Sequence, residues 1–127
     1  MRLLLDTHCW LWSILEPMRL APGARDALRD RSNTVLVSAV TSWEIAIKYS
    51  LGRLPLPEPP GVFIPSRIRR DGFEPLVVTH EHALGVGRLP LIHRDPFDRL
   101  LISQALSEDA VLVTDDKAIR RYDVAVL

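Results

Sequence analysis

Four short apolar runs, separated by segments with helical periodicity, constrain this 127-residue chain more than any other feature of its sequence. The runs are nearly continuous in Leu and Val, so they do not show the polar–apolar alternation of a half-exposed strand. Continuous apolar runs are typical of strands that helices cover on both faces of a parallel sheet. They lie at residues 2–5, 34–37, 75–78 and 110–113, and residues 124–127 form a candidate fifth strand.

The segments between these runs carry apolar residues at three- and four-residue spacing, which predicts helices. Strands that alternate with helices predict an α/β fold with a mainly parallel sheet of four to five strands. Prolines concentrate in residues 55–60 and indicate a loop, so we expect residues 1–127 to form a single domain. The predicted helices cover residues 7–15, 23–31, 39–51, 62–70, 81–86 and 96–107.

The composition excludes several classes of protein. Its 47% apolar and 25% charged residues are typical of globular domains and exclude a disordered or fibrous chain. The formal net charge is zero, so overall charge does not indicate a polyanion partner. The single cysteine, Cys9, excludes an internal disulfide and a cysteine-rich zinc site, and it fits a reducing, cytoplasmic location. No apolar stretch approaches the roughly 20 residues that span a bilayer, so no membrane partner is expected.

Acidic residues directly follow the first and the last of the four apolar runs. Asp6 comes after the first run, and Asp115 and Asp116 come after Thr114 at the end of the last. Binding sites in open parallel sheets form at the carboxyl ends of strands, near the point where the strand order reverses. These acids therefore lie side by side if the two runs are central neighbours. The alternative is that each acid caps the helix that follows, since Asp is a good N-cap.

Glu44 is predicted to face inward from its helix. It shares an apolar stripe with Val40, Ile47 and Leu51, and an unpaired carboxylate on such a face is costly. An ion pair with Lys48, four residues further along the helix, is the alternative explanation.

Asp98 lies at the start of a predicted helix. Asp95 is placed as its N-cap and Pro96 as its first residue, so Asp98 at the third position resembles part of a capping box. Asp98 also heads an apolar stripe that continues with Leu101 and Ile102, which places its carboxylate at the mouth of the core.

Carboxylates that converge at one edge of a sheet repel each other unless a cation neutralises them. Oxygen donors without cysteine favour Mg²⁺ or Mn²⁺ over zinc. Such an ion activates water and holds a phosphodiester for in-line attack, so the sequence predicts metal-dependent phosphodiester hydrolysis. The candidate contacts to a nucleic-acid backbone are Lys48, Arg53, Arg94 and Arg99.

Four stretches of the sequence resemble the PIN-domain ribonucleases, and specifically the VapC-type toxins of bacterial and archaeal toxin–antitoxin modules. The stretches are LLLDTHCWLW at 3–12, SAVTSWEIAIKYSLGRL at 38–54, HRDPFDRLLISQAL at 93–106 and LVTDD at 112–116. The resemblance implies an α/β/α sandwich around a parallel sheet and an endoribonuclease that depends on Mg²⁺ or Mn²⁺. It also implies a homodimer and a cognate antitoxin that neutralises the enzyme.

The same resemblance assigns roles to individual residues. It implies that the catalytic acids are Asp6, Glu44, Asp98 and Asp116, and that Asp6, Asp98 and Asp116 are the metal ligands. The threonine–any–aspartate pattern of the family selects Asp116 over Asp115. Supporting roles are expected for Thr114, Asp95 and Asp115.

Two other functions use a similar arrangement of acids. A structure-specific DNA nuclease has the same acid geometry, but a chain of this size leaves no room for an arch or a clamp. A Mg²⁺-binding phosphoacceptor module also places acids at strand ends, but it needs a lysine at a later strand end, and no clear candidate is present. For the dimer surface, the apolar Trp10, Leu11 and Trp12 are the first candidates, and the Pro-rich loop together with residues 62–68 is the next.

Overall fold

The computed structural model describes all 127 residues and contains one four-stranded sheet. The order across the sheet is β3–β2–β1–β4, and every neighbouring pair is parallel, so the predicted α/β class is confirmed. The strands are β1 (Arg2–Leu5), β2 (Thr34–Ser38), β3 (Glu74–Leu76) and β4 (Val111–Val113).

Six α-helices and three single-turn 3₁₀ helices connect the strands. Three of the α-helices begin at a proline, because the first helical position does not need a backbone N–H donor. The helices that were predicted from residues 23 and 62 therefore start one and two residues earlier. None of the helices combines the length and the apolar character needed to cross a membrane. The α-helices are α1 (Thr7–Leu15), α2 (Pro22–Arg29), α3 (Ala39–Ser50), α4 (Pro60–Asp71), α5 (His80–Gly85) and α6 (Pro96–Ser107).

The sheet has a separate apolar core on each face, which explains why its strands are continuously apolar. Leu3 and Leu5 pack on one face with Trp10 of α1 and residues of α2 and α4. Leu4 packs on the other face with Leu101 and other residues of α6. Each of these buried side chains contributes roughly 1.5–3 kcal/mol to folding, so a polar residue on either face of β1 is costly.

The candidate fifth strand at residues 124–127 forms only a single parallel bridge, between Leu112 and Val126. The chain turns at Tyr122, where the Val124 N–H donates to the Tyr122 carbonyl at 3.0 Å. Residues 125–127 then run beside β4, where Leu112 exchanges backbone hydrogen bonds with Ala125 and Leu127 at 2.9 Å each. This return nevertheless places Tyr122 near the start of α6.

The prediction of an apolar dimer surface on α1 is wrong for two of its three residues. Trp10 is fully buried, with its ring centroid 6.0 Å from that of Phe63, and Leu11 is buried as well. Trp12 is half-buried, with the Arg19 guanidinium 4.5 Å from its ring centroid. The apolar character of α1 therefore serves the core of this chain.

The strand order reverses at β1, because β2 and β3 extend the sheet on one side and β4 lies on the other. The carboxyl ends of β1 and β4 are joined by a hydrogen bond from the Asp6 N–H to the Val113 carbonyl, at 3.0 Å. This edge of the sheet is where open α/β folds bind their ligands.

Candidate active site

Asp6 lies buried in the turn between β1 and α1, with 5% of its surface exposed. Its Oδ1 atom caps α1 by accepting the Cys9 N–H at 2.7 Å, and its Oδ2 atom accepts the Thr114 hydroxyl at 2.6 Å. Burial raises its pKa above the ordinary value for Asp, and the Thr114 and Cys9 hydrogen bonds offset only part of this effect. No basic side chain forms an ion pair with Asp6. The cap is real, but it leaves the charge of a buried carboxylate without a counter-ion.

Thr114 connects Asp6 to Asp116. It is buried at the end of β4, and its hydroxyl oxygen accepts the Asp116 N–H at 3.0 Å while the hydroxyl proton goes to Asp6. The Asp116 carboxylate is exposed and accepts the Ala118 N–H at 2.8 Å. The turn after β4 is thus held in place by Thr114, which was predicted as a supporting residue.

Asp115 and Asp116 have different surroundings. The negative charge of Asp116 acts on Asp98 and helps to raise its pKa. Asp115 instead lines a small pocket beside Cys9 and Trp12, and it adds to burial and Asp6 in raising the pKa of the Cys9 thiol. Of these two acids, Asp116 is therefore the one whose charge acts on the carboxylate on α6.

Asp98 lies in the first turn of α6, and its pKa is raised to about 6. Burial is the largest cause, and the negative charges of Asp95 and Asp116 add to it, while a hydrogen bond from His93 opposes it. A capping box would require the Asp98 carboxylate to accept the N–H of the N-cap residue. It contacts His93 Nε2 at 3.1 Å instead, and Asp95 caps α6 by accepting the N–H groups of Phe97 and Asp98 at 2.9 and 3.1 Å.

Glu44 faces inward as predicted and is 3% exposed, but the face of α3 around it differs from the predicted stripe. Ile47 and Leu51 are 36% and 59% exposed, because no residue in the last turn of α3 reaches the core. The carboxylate accepts a hydrogen bond from Lys48 Nζ, so the alternative ion pair is present. The buried residues of α3 are Val40, Thr41, Glu44 and Ile45.

Two contacts place α3 between α1 and α6. The hydroxyl groups of Thr7 and Thr41 are 3.1 Å apart, one helical turn before Glu44. The rings of Trp43 and Phe97 meet edge to face, with centroids 4.9 Å apart. Glu44 therefore lies on the helix that borders both the Asp6 turn and the start of α6.

The candidate RNA-contacting residues fall into two groups. Arg53 and Arg94 are exposed and make no ion pair, and the Lys48 side chain is 39% exposed beside Glu44. Arg99 is only 8% exposed, so the prediction that it contacts RNA does not fit the structure. Its guanidinium donates to the carbonyls of Pro90 and Val86, at 2.7 and 3.3 Å, and to the Tyr122 hydroxyl at 2.9 Å.

Sequence reasoning missed His93 and Tyr122. The His93 ring bonds Asp98 through Nε2 and the Tyr122 hydroxyl through Nδ1, at 3.1 and 2.8 Å. The only signal for His93 is its place five residues before Asp98 in the HRDPFDR stretch. No spacing rule indicates Tyr122, because it reaches the site through the return of the chain after β4.

No three His, Cys, Asp or Glu side chains lie close enough together to enclose a metal ion by themselves. A fully protein-ligated site of the zinc type is therefore absent. Hard divalent cations such as Mg²⁺ bind through one or two carboxylates and keep several waters. Asp6 lacks a counter-ion, and Asp98 faces two further carboxylates, so this excess of negative oxygen donors fits a hydrated divalent cation.

The chain is similar to several known proteins. Residues 3–125 match the PIN domain family. The chain is 50% identical to Ribonuclease VapC16 of Mycobacterium tuberculosis over 68 residues, which cover 50% of this chain and 48% of that protein. It is 29% identical to Ribonuclease VapC22 of the same organism over 122 residues, which cover 94% of this chain and 90% of that protein.

A solved structure shares the fold. This structure is VapBC2 from Rickettsia felis bound to a DNA fragment from the VapBC2 promoter. The TM-score is 0.75 and the sequence identity is 19%, and the match covers 100% of this chain and 98% of that chain. The family match spans almost the whole sequence and includes both strand ends that carry the acids. The chain therefore belongs to the PIN domain family.

Proposed function

We propose that this protein is a metal-dependent endoribonuclease and acts as the toxin of a toxin–antitoxin module. The observation that carries the proposal is a set of three aspartates, Asp6, Asp98 and Asp116, which we call the acidic cluster: Thr114 links Asp6 to the Asp116 backbone where the strand order reverses, and the charge of Asp116 acts on Asp98. Family membership and two relatives named as ribonucleases support RNA as the substrate. The similarity to VapBC2 supports an antitoxin partner.

PIN-domain ribonucleases generally depend on a divalent metal, and an oxygen-only donor set favours Mg²⁺ or Mn²⁺. We assign the metal to the acidic cluster. When bound, such an ion supplies an activated water and neutralises charge on the phosphodiester. No protein nucleophile is then required, which agrees with the burial and raised pKa of the only cysteine.

The other residues of the site orient the acids and the substrate. Thr114 holds Asp6 Oδ2 and the turn that carries Asp116, while the Asp95 cap sets the first turn of α6. Lys48 neutralises Glu44 and still has free N–H donors on an exposed ammonium group. Lys48, Arg53 and Arg94 are the side chains that we assign to the RNA backbone.

The experiment compares cleavage of RNA and of single-stranded DNA by the full chain, with Mg²⁺, with Mn²⁺ and with EDTA. We expect cleavage of RNA only, its loss in EDTA, and its loss in Asp6→Asn with the fold intact. Preferential cleavage of DNA would favour the structure-specific nuclease. Labelling by acetyl phosphate without any cleavage would favour the phosphoacceptor module.

The partner proposal concerns the same cluster. We expect an antitoxin segment to place an Arg or Lys side chain among these acids, because a cluster of carboxylates attracts a cation and its occupation blocks both metal and RNA. A complex that cleaves RNA at the full rate contradicts this idea.

We also expect a cytoplasmic homodimer, and a monomeric mass in light scattering at micromolar concentration contradicts the dimer.

A further inference from the structure

A chain of hydrogen bonds runs from the buried Arg99 to the acidic cluster. Arg99 Nη1 donates to the Tyr122 hydroxyl at 2.9 Å, and this hydroxyl lies 2.8 Å from His93 Nδ1. The other ring nitrogen, Nε2, lies 3.1 Å from Asp98 Oδ2. We call this chain of Arg99, Tyr122, His93 and Asp98 the relay.

The donors at one end of the relay favour one arrangement of its protons. Arginine only donates, and the backbone N–H of His93 also points at the Tyr122 oxygen, at 3.3 Å. The phenol oxygen is therefore the acceptor in both contacts, and its single proton goes to His93 Nδ1. An imidazole that accepts at Nδ1 carries its proton on Nε2, so this network favours the Nε2–H tautomer of His93, which donates to Asp98 Oδ2.

The surroundings of His93 keep this arrangement in place. Its side chain is 18% exposed, and its ring packs edge to face on Tyr122, with centroids 5.4 Å apart. Arg99 is held in turn by the Pro90 and Val86 carbonyls. The relay thus engages one oxygen of Asp98 and leaves the other, Oδ1, without a protein donor.

We propose that His93 is a positioning residue, and that the relay orients Asp98 so that Oδ1 is available to the divalent cation of the acidic cluster. The proposal rests on the proposed function, which places a metal at Asp98. It also explains why Arg99 is buried and not exposed to RNA. Residues that bind the ligands of a metal in this way typically change the metal affinity by about 10- to 100-fold when they are removed.

The first test measures the affinity of Mn²⁺ alone for the full chain by titration calorimetry. His93→Gln keeps an N–H donor near the position of Nε2, whereas His93→Ala removes it. We expect His93→Ala to weaken Mn²⁺ binding about 10-fold or more, and His93→Gln to stay within about 3-fold of the wild type. His82→Gln changes another buried histidine, outside the relay, and serves as the matched control with unchanged affinity.

The second test reads the proton positions directly and needs no metal. The ¹⁵N chemical shifts of the His93 ring should show the neutral Nε2–H tautomer in the wild type. In Tyr122→Phe the proton donor to Nδ1 is lost, so we expect a mixture of tautomers and a weaker affinity for Mn²⁺. The near-ultraviolet circular dichroism of each variant shows whether it is folded.

The outcomes separate the relay from the proposed function. Mn²⁺ binding that needs Asp98 but is equal in the wild type, His93→Ala and Tyr122→Phe overturns the relay alone. A wild-type His93 with its proton on Nδ1 overturns it as well. Absence of Mn²⁺ binding, or equal binding in Asp98→Asn, overturns the metal site and the inference together. If His93→Ala does not fold, the Mn²⁺ affinities of His93→Gln and Tyr122→Phe are compared instead. A weaker affinity in Tyr122→Phe than in His93→Gln supports the relay, and equal affinities overturn it.

Discussion

Two histidine–carboxylate pairs lie at opposite ends of α6, and they differ in what neutralises the carboxylate. His82 Nε2 contacts Glu108 at 2.9 Å, and His93 Nε2 contacts Asp98 at 3.1 Å. The Nδ1 atoms are also similar, since that of His82 accepts the Thr79 N–H and that of His93 accepts the Tyr122 hydroxyl. Both histidines therefore present an N–H donor to a carboxylate.

The second oxygen of each carboxylate makes the difference. Glu108 Oε1 pairs with the Arg2 guanidinium at 3.1 Å, so this network is closed by a cation of the chain itself. Asp98 faces the negative charges of Asp95 and Asp116 instead, and its pKa is raised to about 6. The Arg2–Glu108 contact joins β1 to the end of α6, whereas Asp98 has no Lys or Arg partner, and under the proposed function a divalent cation takes that role.

The largest expected effect separates the two carboxylates by activity. Asp98→Asn should reduce the rate of RNA cleavage more than about 100-fold, the upper range for residues that only support a metal ligand. Glu108→Gln should cleave at the wild-type rate, because its site is closed and distant from the acidic cluster. Initial rates at saturating Mg²⁺ measure both. Equal losses would mean that the two pairs have the same role.

The next effect concerns the acids that surround Asp98. Asp116→Asn should reduce cleavage at least about 10-fold, because it removes a carboxylate from the acidic cluster. Asp115→Asn should have a mild effect, since Asp115 acts on the Cys9 side of the turn. A greater loss in Asp115→Asn would show that the turn after β4 has been assigned in the wrong order.

Asp98→Asn should raise the stability of the metal-free protein, although it lowers the rate of RNA cleavage. Folded Asp98 keeps its proton up to pH about 6, while the unfolded chain loses it near the ordinary value of about 4. The free energy of unfolding therefore falls as the pH rises between these values, because the folded state then binds the extra proton. At pH 7 in EDTA, Asp98→Asn should be more stable by about 2 kcal/mol.

Urea denaturation at pH 4 and pH 7 measures this effect. The gain of Asp98→Asn should be present at pH 7 and absent at pH 4, where the wild-type carboxyl is protonated. Glu108→Gln should show no gain at either pH. A variant of Asp98 that loses stability at pH 7 would favour a capping role for this residue over a metal-binding one.

The smallest expected effect is a loss of stability when the Arg2–Glu108 ion pair is removed. Arg2→Met removes the cation beside Glu108, but the arginine side chain is 42% exposed, so solvent screens the interaction. We expect a loss of about 0.2–1 kcal/mol in the free energy of unfolding and an unchanged rate of RNA cleavage. A loss of cleavage in Arg2→Met would connect the two ends of α6 in a way that the comparison does not predict.

Local patterns in the sequence determined the strands, the position of the acids at the sheet edge and the start of α6. The continuous apolar runs predict strands because both faces of the sheet are covered, and the acids that follow these runs lie at its carboxyl edge. Asp95 followed by Pro96 predicts the start of α6, because a cap and a first-turn proline act through their immediate neighbours. The resemblance of four motifs to PIN-domain ribonucleases added the assignment of Asp116 over Asp115, which stays a prediction.

Tertiary structure alone decided which side chains meet between elements that are distant in the sequence. Whether Trp10 is core or surface depends on where α4 packs, and the burial of Arg99 depends on the Val86 and Pro90 carbonyls. Tyr122 reaches His93 across 29 residues because the chain turns back after β4. The spacing of residues in a sequence predicts the type and the ends of a single helix or strand. Contacts between distant elements depend on how those elements pack, so this spacing does not predict them.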